Sequence, residues 1–322
     1  MFAVYAESFS SDDPLSALVV GERPDPEPET GWTAVRVKAA ALNHHDLWSL
    51  RGVGLKQEAL PMTLGCDAAG LDEDGNEVVV HAVVSDPAWT GDETLDPRRS
   101  LLSERYQGTF ADTVLVPRRN VVPKPASLSF EEAACLPTAW LTAYRMLFVQ
   151  GALRPGDSVL VQGAGGGVST ALIALGRAAG LKVYATSRDE AKRARALELG
   201  AHEVLESGAR LPQRVDAVME TVGKATWSHS VKALRPGGTL VVSGTTSGAD
   251  VPNAELTRVF FLQLRVVGST MGTRQELAAL TELLDVSGVR PVIDRVLPME
   301  QARDGFAAMN DGDLFGKVVF TR

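Results

Sequence analysis

From about residue 150 to 270 the chain repeats one alternation: a short apolar run, then a stretch with helical spacing. Val159-Leu160-Val161 is such a run, entered through Pro155-Gly156, and others centre on Val183, Val204, residues 215–219, residues 240–243 and Val266-Val267. Apolar runs this short, without polar alternation, suit strands buried on both faces of a parallel sheet covered by helices. About six of them predict a complete dinucleotide-type domain. The first 120 residues read differently. Residues 33–39 alternate, with Val35 and Val37 on one face, and further short segments are punctuated by glycine and proline, as in a small barrel. Near Val121-Val122-Pro123 the character changes, and Ser129-x-x-Glu132 predicts a capping box ahead of a helix over 133–150. The tail predicts a helix over 274–286, a strand over 292–297, a helix over 299–310 and a last strand over 317–321. The fold class is α/β.

Residues 157–180 organise this pattern. The apolar strand is followed by a glycine turn, residues 163–167, and then by residues 169–179, rich in helix formers and small side chains and closed by Gly180. A strand, a glycine turn and a helix together cradle a pyrophosphate: the glycines let backbone N–H groups approach, and the helix N-terminus adds partial positive charge. Gly163, Gly165, Gly166, Gly167 and Val168 are therefore the candidate phosphate-binding residues. Ser169 stands where a third glycine would favour close packing, and a plain tight turn is the competing reading.

Composition narrows the class. With 322 residues the chain is long enough for about two domains. A net charge of −8 argues against nucleic acid as a main partner, and no apolar run approaches the roughly 20 residues needed to span a membrane. The N-terminus lacks the features of a secretory signal, so a cytoplasmic enzyme is the expectation. Cys66 and Cys135 cannot by themselves form a disulfide framework or a four-cysteine zinc site.

Cofactor choice is read at the end of the second strand of the dinucleotide unit, Tyr184-Ala185-Thr186-Ser187-Arg188. A site selecting NAD usually offers a carboxylate there. Here the tip carries no acid, while Arg188 supplies a fork of donors suited to a 2′-phosphate and Lys192 a second positive charge, which favours NADPH. On the competing reading Ser187-x-x-Glu190 is only a capping box, and the two cations are solvated.

Several motifs run through the chain in a recognisable order: Asn43-x-x-Asp46 with Arg51-Gly52, Gly65-x-Asp67-x-Ala69-Gly70, Gly108-Thr109-Phe110-Ala111, residues 133–144, the glycine turn, Arg235-Pro236-Gly237-Gly238 and Gly316-Lys317-Val318-Val319. In these the chain resembles the medium-chain dehydrogenase/reductase superfamily, and within it the zinc-independent quinone oxidoreductase-like and enoyl reductase-like members. The resemblance implies a GroES-like β-barrel catalytic domain (residues 1–122 and 289–322), an inserted doubly wound Rossmann domain (residues 123–288) and an active site in the cleft between them. It also implies a homodimer joined through the last Rossmann strand, residues 264–268. Thr142, Tyr144, Ser243, Gly244 and Ser269 fall where such proteins approach the cofactor. Lys317 either reaches the cofactor or pairs with an acid.

Zinc-dependent relatives place their catalytic ligands at positions that fall here on Asn43, on Cys66-Asp67 and near Thr138, and residues 85–107 contain no cysteine. No zinc is expected, since Cys66 alone remains a strong ligand. Without a metal, charge developing on the substrate oxygen must be met by hydrogen-bond donors. Asn43 is the candidate for orienting substrate or nicotinamide, with an Asx-type turn as its alternative role, and Trp48 the candidate wall of an apolar pocket. Asp46 and Arg51 read as a structural pair. No proton donor stands out. The expected activity is NADPH-dependent reduction of a quinone or of an activated C=C conjugated to a carbonyl. The alternatives are an alcohol–aldehyde oxidoreductase and a catalytically weak NADPH-binding protein.

Overall fold

Six apolar runs pair into one parallel sheet, as the sequence pattern predicts. The computed structural model describes all residues, Met1–Arg322, and they form two compact units. The second unit, residues 142–270, contains this sheet. Its strands are Ser158–Val161, Lys182–Ser187, Glu203–Glu206, Val215–Glu220, Leu234–Val242 and Arg265–Gly268. Numbered along the chain within the sheet, their order is 3-2-1-4-5-6, the doubly wound arrangement of a dinucleotide-binding domain. The order reverses beside Ser158–Val161, whose Val159 is in register with Val183 on one side and Ala217 on the other. All four residues of this strand are buried, which is why it carries no polar alternation. Helix Gly167–Ala178 lies tight on the sheet: a Cβ at Gly176 would stand 3.1 Å from Val183 Cγ2. On the sheet's other face Leu160, Tyr184, Val218, Val231 and Leu240 form a core, each buried side chain contributing roughly 1.5–3 kcal/mol.

The first unit comprises residues 1–141 and 271–322. Strand Trp32–Ala41 is its backbone, pairing with Asp67–Leu71, Thr113–Pro117 and the last strand, Lys317–Thr321. The alternation at Val35 and Val37 holds, since both side chains enter the core. The two ends of the chain meet in this sheet, with Val319 opposite Ala41. Phe320 stacks on Phe306 and meets Phe110 edge to face, so residues from both segments share one core.

Two expectations change. Residues 123–141 and 271–288, placed with the dinucleotide domain on sequence, pack in the first unit. Helix Phe130–Ala134 lies on strands Trp32–Ala41 and Asp67–Leu71, and helix Arg274–Ser287 on Leu136–Trp140 and strand Val121–Pro123. The helix expected over 133–150 is also irregular. Ser129 and Glu132 form the capping box, but wide turns at Leu136–Trp140 and Arg145–Gln150 interrupt the α-helix. Pro137 lacks the N–H that a regular helix would use there, which accounts for the first interruption. No helix is long and apolar enough to cross a membrane.

Candidate functional site

Two polar centres emerge, one in each unit. In the second unit the glycine turn follows Ser158–Val161. Gly163 and Gly165 take φ of 73° and 129°, which favours glycine, and Gly166 is the N-cap of helix Gly167–Ala178. Gly166 is exposed, and a Cβ built on it would have Ser169 Oγ, 3.8 Å away, as its nearest neighbour. The turn therefore leaves open space before the unpaired first N–H groups of a helix, at Gly167 and Val168, as an anion requires. Ser169 is no defect. Its hydroxyl accepts from Gly165 N–H (3.2 Å) and donates to Gly166 O (3.0 Å), so it ties the turn together.

A buried polar ladder, missed in the sequence, supports the turn. Thr186 Oγ1 donates to Gln162 Oε1 (2.6 Å), and Gln162 Nε2 donates to Ser230 Oγ (2.9 Å). Ser230 in turn donates to Glu220 (2.5 Å), whose other oxygen accepts the N–H groups of Val222 and Gly223. Gln162 and Glu220 are fully buried, so each polar atom needs its partner. The ladder links the ends of three adjacent strands. Its signal in the sequence is a polar residue directly after an apolar run, which by itself is too common to single out.

At the tip of the second strand Ser187 is buried and Arg188 exposed. The next helix is capped by Asp189, which accepts from Lys192 N–H (3.1 Å), so the Ser187-x-x-Glu190 capping box of the competing reading does not form. Ser187 Oγ instead accepts Asp189 N–H, and Arg193 donates to Ser187 O (2.8 Å). Asp189 and Arg193 were both overlooked. Ser243 and Gly244 follow the fifth strand and Ser269 the sixth; the N–H of Ser243 donates to Glu220 O and that of Ser269 to Val242 O. Thr142 and Tyr144 lie in the short helix Leu141–Tyr144.

The first unit brings together Asn43, Asp67, Thr138 and Lys317. Asn43 Nδ2 donates to Asp67 Oδ2 (2.8 Å) and Ala41 O (3.2 Å). Lys317 Nζ donates to Asn43 Oδ1 (2.6 Å), Leu42 O (2.8 Å) and Asp67 Oδ2 (3.2 Å), and Thr138 Oγ1 donates to Asp67 Oδ1 (2.5 Å). Lys317 is 2% exposed and Asp67 0%, so of the two roles read for Lys317 the acid pair is the one formed. Asp46 and Arg51 do not pair. Asp46, wholly buried, accepts the N–H groups of Asn43 and Gly65, and burial first of all raises its carboxyl to about 6. Arg51 instead donates to Asn310 and lies over the Trp48 ring. Trp48 is 36% exposed and takes no part in the Asn43 cluster.

Cys66 turns away from Asp67. Its sulfur meets His45 Nδ1 (3.4 Å), Leu102 O (3.2 Å) and Ser103 Oγ (3.6 Å), while His45 Nε2 meets Glu104 Oε1 (3.1 Å). Burial opposes charge on His45, yet Cys66, Glu104 and Asp46 outweigh it and hold the imidazole well above its usual value. Donor atoms of His45, Asp46 and Cys66 lie within 4.8 Å of one another, but both Asp46 oxygens already accept backbone N–H groups.

Comparison with known proteins agrees with this architecture. Residues 29–126 match the alcohol dehydrogenase GroES-like domain and residues 167–285 the zinc-binding dehydrogenase family. Fold and sequence together define an oxidoreductase with a GroES-like domain and a Rossmann-type parallel sheet. The chain belongs to the medium-chain dehydrogenase/reductase superfamily. It is 28% identical to an acryloyl-coenzyme A reductase of Sulfurisphaera tokodaii, over 95% of this chain and 97% of the relative. Against a quinone oxidoreductase of Mus musculus it is 28% identical over 86% and 85%. A solved NAD-dependent alcohol dehydrogenase superposes with a TM-score of 0.91 at 34% identity, covering all of both chains. A 2-octenoyl-CoA carboxylase reductase solved with NADP and 2-octenoyl-CoA gives 0.92 at 25% identity, over 99% and 87%.

Proposed function

We propose that this chain is an NADPH-dependent, zinc-independent reductase of a quinone or of a C=C bond conjugated to a carbonyl. The observation that carries this reading is the filled cluster at Asn43. Oxygen and amide donors stand where a zinc centre needs thiolate or imidazole, and the Lys317 ammonium lies among them. Conjugated acceptors suit such a site, because their own π-system spreads the charge that a metal would otherwise stabilise. When bound, NADPH supplies the hydride. The open turn at Gly166 and the helix behind it fit the pyrophosphate, and Arg188 and Lys192 fit the 2′-phosphate. The NADP complex of the 2-octenoyl-CoA carboxylase reductase supports the cofactor, and the names of the acryloyl-CoA reductase and quinone oxidoreductase relatives support the substrate class.

A second reading, alcohol–carbonyl interconversion with NAD, is favoured by the alcohol dehydrogenase likeness at 34% identity. A homodimer is also part of the proposal. Edge strand Arg265–Gly268 has no neighbour on its outer side, and beside it in the chain Phe260 and Phe261 are 70% and 76% exposed. The test is purified protein with NADPH or NADH against quinones, enones, enoyl thioesters and aldehydes. Oxidation of NADPH by a quinone or conjugated C=C is the expected result. Turnover confined to aldehydes would refute the reading, and cofactor binding without any turnover would leave a binding protein.

A further inference from the structure

The zinc-dependent proteins that this chain resembles imply catalytic ligands at the positions of Asn43, Cys66-Asp67 and Thr138, and the residues brought together there do not fit a metal. We propose that the Lys317 ammonium is the resident cation of this centre, filling the place and the charge of a metal, and that it positions Asn43 and Asp67 while excluding divalent ions. The inference rests on the metal-free reading above and adds the residue responsible. Lys317 opens strand Lys317–Thr321, beside Leu42 and Asn43, so its side chain enters the cluster from the far end of the sequence. All three ammonium hydrogens are used, on Leu42 O, Asn43 Oδ1 and Asp67 Oδ2. That arrangement fixes the Asn43 amide: its oxygen faces the ammonium and its nitrogen faces Asp67. Thr138 spends its proton on the other Asp67 oxygen. Lys317 and Asp67 cancel in charge, and a divalent ion placed among the same oxygens would meet the ammonium at close range in a poorly solvated site. With every ammonium hydrogen engaged, Lys317 is a positioning residue and not the proton donor of the reaction.

The test uses the full-length protein purified without chelator. Metal analysis of the wild type should find well under one divalent ion per chain. Lys317→Met and Asp67→Asn should each lower Tm by on the order of 10 °C, because each strands a buried partner. The double variant should regain most of that loss. Manganese(II) chloride, chosen because the vacated space is lined by oxygens, should raise the Tm of Lys317→Ala and leave the wild type unmoved. About one zinc per wild-type chain, additive losses in the double variant, or equal manganese responses would each overturn the proposal. NADPH titration of the wild type is independent of these outcomes: a protein that ignores NADPH loses the reductase reading and keeps the role of Lys317.

Discussion

The centre at the glycine turn and the centre at Asn43 are both buried polar assemblies, but they are made from different parts of the chain. At the turn the groups proposed to face a ligand are backbone N–H donors, and side chains such as Gln162 and Glu220 brace the turn from behind. At Asn43 the centre is all side chain, drawn from positions 43, 67, 138 and 317, with a lysine and an aspartate among them. A backbone site should lose its ligand, with little loss of stability, when its open space is filled. A side-chain site should fail in stability as soon as one charge is removed.

The largest expected effect sharpens this contrast through pH. His81, in the first unit, is fully buried with neither ring nitrogen partnered, and burial lowers its pKa to about 3. A lowered folded pKa gives stability that is present above the unfolded value, near 6.5, and is lost as pH falls through the folded one. Between pH 6.5 and 5 this costs about 2 kcal/mol, and about 4 kcal/mol by pH 3. Asp46 acts in the opposite sense. Its raised carboxyl contributes stability that is fully present below 3.8 and lost as pH rises through about 6. Thermal melts across pH 7 to 5 should therefore show His81→Leu resisting acid better than the wild type. An unchanged pH response would remove the assignment.

Next in size is the cradle. Gly166→Asp puts a carboxylate into the open space at the turn and should weaken NADPH by about 100-fold, or about 2.7 kcal/mol. Tm should shift by only about 1–2 °C, because the added Cβ meets nothing closer than 3.8 Å. A large stability loss with binding intact would reverse the comparison. Behind the turn, Glu220→Gln replaces an acceptor oxygen with a donor facing N–H and O–H groups, and should cost about 1–3 kcal/mol in denaturant melts. The smallest effect is at the strand tip. Arg188→Ala should weaken NADPH about 10-fold and NADH hardly at all, and equal losses would end its role in selecting the phosphate.

What the sequence made legible follows the same division. The six strands, the glycine turn and the capping box at Ser129 depend on neighbours in the chain, so their pattern is local. The Asn43 cluster depends on strand Lys317–Thr321 pairing with Trp32–Ala41, and no local pattern encodes that Lys317 would meet Asp67. Asp46 and Arg51 looked like a pair because they are close in sequence. The fold instead turned the carboxylate inward to backbone N–H groups and the guanidinium outward over Trp48. His45 with Cys66 and Glu104 was likewise hidden, since the three come from separate segments.

Hydride delivery without a metal is the activity proposed for this chain. Its most direct measurement is the rate of NADPH oxidation with the best quinone or conjugated C=C acceptor, before and after exhaustive treatment with a strong zinc chelator. The rates should be equal within error. A rate that collapses on treatment and returns when zinc is added back would contradict the claim.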